Sequence, residues 1–147
     1  MKVKSFRGRL ADGAQDTIIL HTNNGSTGYK ITKFEIMTEE PFGGGNAEHV
    51  IKIYKVEQSA VTADINFSQN TLLGAAIVNN STAGYQNASV PSVIFDNEVF
   101  NQDIYITHID NQGSQACNYY IELEQMKLDL SENTVATLKD IRNIASQ

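Results

Sequence analysis

The sequence predicts an all-β chain: an antiparallel β-sandwich, jelly-roll-like, with an N-terminal arm or edge strand and a short C-terminal helix or extended tail. Three observations carry this. Residues 104–109 and 117–123 are β-branched, aromatic or strictly alternating, which is what half-buried strands need. Seven or eight such short segments recur along the chain, divided by polar turns rich in Gly, Asn and Asp. No helical pattern alternates with them, as a parallel α/β sheet would require.

In chain order, residues 2–10 alternate loosely with Phe6 and Leu10 on one face, and residues 11–15 turn around Asp12 and Gly13. Residues 16–22 form a second strand, in which Ile18 and Leu20 oppose Thr17, Ile19 and His21. The dipeptide Asn24-Gly25 marks the next turn. Residues 29–37 resume the pattern, with Phe34 and Ile36 set against Lys33 and Glu35, and a glycine-rich loop follows over 39–46. Residues 50–56 are apolar on both faces, which predicts a central strand or one whose second face meets another chain. Residues 72–78 form a small-residue strand, 79–89 a polar loop, and 90–95 a strand that Pro91 confines to an edge or a strand end. Residues 104–109 and 117–123 then read as an antiparallel hairpin joined by a long polar loop. On its second strand Cys117, Tyr119, Ile121 and Leu123 share the buried face. The apolar set moves to Met126, Leu128 and Leu130 beyond that, so a bulge or a change of packing partner is expected near Gln125. Ser131 is suited to cap a short helix carrying Val135, Leu138 and Ile141, a stripe that needs a surface to lie on. The organisation expected is therefore a basic arm or edge strand over 1–10, a sandwich domain over 11–130 and a tail over 131–147.

With 147 residues the chain is long enough to bury a single core without staples. Its one cysteine, Cys117, reads as a buried apolar residue. No apolar run approaches the length that spans a bilayer, and no membrane or secretory segment is expected. Charge is unevenly placed. Lys2, Lys4, Arg7 and Arg9 stand in the first nine residues without an acid, leaving seven basic against seventeen acidic residues for the remainder. An acidic body argues against nucleic acid as a partner, while a basic arm suits an acidic neighbour or guards a sheet edge against aggregation.

Sites of chemistry are sparse. His21, His49 and His108 are isolated in sequence, and none has a second ligand at helical or hairpin spacing. Gly43, Gly44 and Gly45 lack the Lys-Ser/Thr of a phosphate loop, and there is no Gly-x-Ser-x-Gly elbow. Asp96, Asn97, Glu98, Asn101, Asp103 and Asp110 form one oxygen-rich cluster. Ca²⁺ and turn hydrogen bonds both call for such residues, and the spacing is not that of an EF-hand. Tyr29, Phe42 and Tyr85 are the aromatics available to stack on a sugar. No catalytic residue, cofactor or metal is expected, and the chain does not read as an enzyme.

The runs at 28–34, 50–55, 93–105 and 134–143 resemble a family of small uncharacterised proteins of marine tailed bacteriophages, over about residues 8–143. The resemblance implies a virion structural component, made in the host cytoplasm, and supplies no functional residues. Within that class a capsid decoration or cement protein is the first expectation, bound to the major capsid protein through protein–protein contacts and homo-oligomeric in the particle. A tail, neck or fibre-associated protein with glycan-contacting loops is the alternative, and a small phage enzyme or host-modulating protein a third. The residues expected to meet partners are Lys2, Lys4, Arg7, Arg9, Phe42, Tyr85, Val135, Leu138 and Ile141.

Overall fold

The computed structural model describes residues 2–41, 45–80 and 91–129, which form eight strands and no helix. They are β1 (Lys2–Leu10), β2 (Gln15–Ile18), β3 (Thr27–Thr38), β4 (Ala47–Tyr54), β5 (Leu72–Asn80), β6 (Ser92–Phe95), β7 (Ile104–Asp110) and β8 (Cys117–Lys127). Two antiparallel sheets pack face to face, one ordered β1-β8-β3 and the other β2-β7-β4-β5-β6. The pairs β1·β8, β2·β7 and β4·β5 are nested, as when a long two-stranded ribbon is rolled up, which is the jelly-roll plan. The departure is β6: it hydrogen-bonds β5 instead of joining β3, giving three strands against five. The expected tail stripe over 131–147 lies outside the described residues, as does most of the 79–89 loop.

Alternation builds the core. Ile51 and Ile53 of β4, Ile104 and Ile106 of β7, and Cys117, Tyr119, Ile121 and Leu123 of β8 meet between the sheets with Phe34 and Ile36 of β3. Burying each such Ile or Leu side chain is worth roughly 1.5–3 kcal/mol. β4 is central, as its two apolar faces predicted: Lys52 on its outer face is covered by the following loop, where Nζ donates to Thr62 Oγ1 and the Asp64 carbonyl. β1 is the edge strand of the smaller sheet, paired with β8 along its length, and Phe6 packs on the core. Gly8 faces Tyr119 there. A Cβ at this position would stand 2.9 Å from the ring, so a side chain would displace the tyrosine whose hydroxyl donates to Asp16 Oδ2 on β2.

Two expectations are corrected and one is narrowed. β7 and β8 are not a hairpin, because they belong to different sheets, and residues 111–116 form a corner between them. The Asp110 carboxylate makes that corner: Oδ1 accepts from the N–H of Glu48, Gln112 and Gly113 and Oδ2 from that of Gln115, which turns the chain out of the sheet. The register of β8 runs unbroken through Lys127, and the irregularity lies on its neighbour at Thr32, between Ile31↔Leu123 and Lys33↔Glu122. There is no bulge near Gln125, and Leu128 is buried beyond the strand end by packing over Gly28, in keeping with the other alternative, a change of packing partner. Lastly, β2 stops at Ile18, short of the expected residue 22. The N–H groups of Leu20 and His21 turn to Asp103 Oδ1, at 2.8 and 3.0 Å, and so leave the ladder.

Candidate functional site

Two features of the sandwich carry chemistry, one at its surface and one in its core. The first is the free edge of β3. Tyr29 exchanges both backbone hydrogen bonds with Phe100, at 2.8 and 2.9 Å, so inward-facing residues of β3 turn their N–H and C=O toward the free side. Phe34 and Ile36 keep that relation past the bulge, since they stand opposite Ile121 and Tyr119, inward residues of β8 like Leu123 opposite Ile31. Among the described residues no strand pairs with that stretch. β3 lies against β5 and β6, and Val93 and Phe95 on the inner side of β6 are only partly buried, since among the described residues no fourth strand of the smaller sheet covers them. A groove of 890 Å³ follows this vacancy, walled by Arg7, Glu35, Met37, Tyr120, Pro91 and Val93. Met37 is 68 % exposed, a large apolar side chain at the rim.

The four basic residues of β1 are all exposed, but they do not form one patch. Arg9 pairs with Glu39 at 2.9 Å, Lys4 stands 6.0 Å over the Tyr29 ring, Arg7 walls the groove, and Lys2 lies opposite Gln125 near the far end of the strand. Successive side chains of a strand point to opposite faces, which divides them. Of the other residues expected to meet partners, Phe42, Tyr85, Val135, Leu138 and Ile141 lie outside the described residues. Tyr29, offered as a stacking aromatic, is buried against Phe100 and is unavailable to a sugar.

The second feature is buried. The histidines that look isolated in sequence are not: His49 of β4 and His108 of β7 both point inward at one end of the sandwich, and Nδ1 of His49 lies 2.9 Å from Nε2 of His108. The protons in this chain follow from its far end. The Ala11 carbonyl, 3.0 Å from His108 Nδ1, can only accept, so that nitrogen carries a proton. In the neutral ring Nε2 then accepts from His49 Nδ1, and His49 Nε2 accepts from Thr38 Oγ1 at 3.1 Å. Burial first, and the neighbouring His108 second, push the His49 pKa below its ordinary value, against an opposing pull from Asp110 and Asp12. Cys117 on β8 completes the group: one ligand atom from each of His49, His108 and Cys117 lies within 4.8 Å of the others. Burial pushes its thiol up to about 12. That agrees with its reading as an apolar residue and leaves little thiolate for nucleophilic chemistry.

Sequence spacing could not reveal this cluster. Its members come from three strands of two sheets, and only the inward parity of His49 with Ile51 and Ile53, and of His108 with Ile104 and Ile106, hinted that both rings enter the core. The oxygen-rich cluster, by contrast, disperses. Asp103 receives two backbone N–H groups and His21 Nδ1, Asp110 receives four N–H groups, Asn101 donates to the Gly25 carbonyl, and Glu98 pairs with Lys55 at 2.9 Å. Burial would raise both Asp103 and Asp110, but these donors hold their carboxyls below the ordinary value.

No known family model matches the chain, and no curated protein matches it in sequence. Among solved structures, a protein from the work "Bacillus endospore appendages form a novel family of disulfide-linked pili" resembles it with a TM-score of 0.41 and 5 % identity, over 87 % of this chain and 88 % of that one.

Proposed function

We propose that this protein is a structural subunit of a virus particle, which works by protein–protein contact and not by catalysis. The single observation that supports this most is the open edge of β3 beside the partly covered β6. N–H and C=O groups that no described strand pairs are a template for another chain, and Val93 in the groove wall with an exposed Met37 at the rim would add alternate side-chain contacts. Within this class the reading is a capsid decoration or cement protein, seated on the major capsid protein with several copies per assembly unit. The split of charge between a basic β1 and an acidic remainder favours docking on an acidic neighbour, and argues against nucleic acid and a membrane surface.

The alternative is a subunit of the tail, neck or a fibre. Copy number in purified particles separates the two. Hundreds of copies support decoration, a dozen or fewer place the protein at the tail or neck, and absence from particles overturns the structural reading. A second arm uses Met37→Lys, which puts a charge at the groove rim of an otherwise solvated position. The variant should fold normally and bind particles that lack this subunit at least tenfold more weakly than the parent does. Unchanged binding would remove the groove from the contact.

A further inference from the structure

We propose that His49 Nδ1, His108 Nε2 and Cys117 Sγ form a binding site for one thiophilic transition-metal ion, zinc or monovalent copper, inside the sandwich. The argument is geometric. Two imidazole nitrogens are aimed at one another across 2.9 Å, and the Cys117 sulfur lies within 4.8 Å of one nitrogen of each ring. Zinc with bonds of about 2.0–2.1 Å to nitrogen and about 2.3 Å to sulfur needs ligand atoms roughly 3.3–3.7 Å apart. Ligand atoms no more than 4.8 Å apart reach that spacing by closing roughly one ångström at most, within the reach of small ring and χ1 rotations. Two imidazoles and a thiolate are a donor set for zinc and copper, and a poor one for magnesium or calcium.

The surroundings are those a metal ligand set requires. Each imidazole has its second nitrogen held by the protein, His108 Nδ1 on the Ala11 carbonyl and His49 Nε2 on Thr38 Oγ1. The Thr38 hydroxyl can reverse its role. When the metal displaces the proton on His49 Nδ1, that ring takes the other tautomer, and Nε2–H donates to Thr38 Oγ1. Both rings stay neutral, and Cys117 gives up its thiol proton to solvent. One divalent ion therefore releases one proton and leaves a net single positive charge, and a monovalent ion leaves none. Asp110 and Asp12, whose charges already act on His49, stand near to balance it. Binding to the metal deprotonates a coordinating thiol outright, so the high ordinary resistance of Cys117 to ionisation is no barrier.

His49, His108 and Cys117 are fully buried, so uptake is expected during folding or on a local opening. The test is to unfold the protein in chelator and refold it with equimolar Co²⁺, Zn²⁺ or Cu⁺, removing loose metal on a desalting column. The expected result is one ion retained per chain, a higher Tm than the metal-free protein, and in the Co²⁺ form a thiolate-to-metal charge-transfer band. Since Cys117 is the only cysteine, that band identifies the site without any variant. Cys117→Ser should fold, lose the band and retain metal at least tenfold less tightly. Retention below one-tenth of an ion per chain, or metal held without the band and equally by Cys117→Ser, would overturn the proposal. Preference among the three ions identifies the occupant.

Discussion

His49 and His108 share one proton between Nδ1 and Nε2 across 2.9 Å, in the middle of a relay that runs from the Thr38 hydroxyl to the Ala11 carbonyl. The relay joins the two sheets, because Thr38 ends β3 in the smaller sheet while both histidines belong to the larger. Every polar atom named in it has a partner, so both rings can be buried neutral at that end of the core.

Removing one donor should expose the cost of the rest. Thr38→Val keeps the shape of a buried side chain but leaves His49 Nε2 without its hydrogen bond, and should destabilise the metal-free protein by about 1–3 kcal/mol. Urea unfolding would measure it. A midpoint equal to that of the parent protein would show that the assigned proton direction, or the bond itself, is wrong.

Asp110 holds the corner between the sheets with four backbone N–H groups. Asp110→Ala leaves those donors buried or half-buried without their anion, a loss of about 2–4 kcal/mol. Asp110 and Asp103 both titrate below their ordinary value of 3.8 in the folded protein. As pH falls below that value the unfolded chain takes up protons first, so the stability they contribute is complete above it and is lost as pH drops through the folded-state values. The Tm of Asp110→Asn should therefore fall less steeply with acid than that of the parent, and parallel curves would contradict the assignment.

Ile121 is at the centre of the smaller sheet, fully buried and flanked by Phe6 and Phe34 in register. Ile121→Ala should cost about 2–5 kcal/mol by leaving a cavity that strands paired on both sides cannot close. An unfolding midpoint within error of the parent would mean that this face is not the core.

The basic strand β1 separates structure from binding. Deleting residues 1–9 removes the whole edge pairing of β8 together with Phe6, so the truncated chain should melt well below the parent. The variant Lys2→Gln, Lys4→Gln, Arg7→Gln keeps the strand and alters only charge, and its melt should stay close to the parent because surface charges contribute little to stability. If β1 contacts an acidic neighbour, binding of the parent protein to particles weakens with salt and this variant loses most of that dependence. Identical salt curves would leave protection of the edge as the function of the charges.

Much of the sandwich was legible in the residues themselves. The two-residue period placed Cys117, Tyr119, Ile121 and Leu123 on the buried face and marked residues 50–56 as a central strand or one facing another chain, while Pro91 confined the 90–95 segment to an edge or a strand end, where β6 lies. These are local facts, since a side chain's face depends only on its own strand. Which strand lies beside which is not local. Residues 104–109 and 117–123 alternate identically whether they pair with each other or sit in opposite sheets, and it took the Asp110 corner to send them apart. The phase change near Gln125 left a bulge and a change of packing partner both open for the same reason, and the irregularity lies on the neighbouring strand at Thr32. The meeting of His49, His108 and Cys117, and the β3 edge that no described strand pairs, could not be read from sequence spacing. Each depends on contacts between residues tens of positions apart, brought together when the rolled ribbon closes and β6 joins β5 instead of β3.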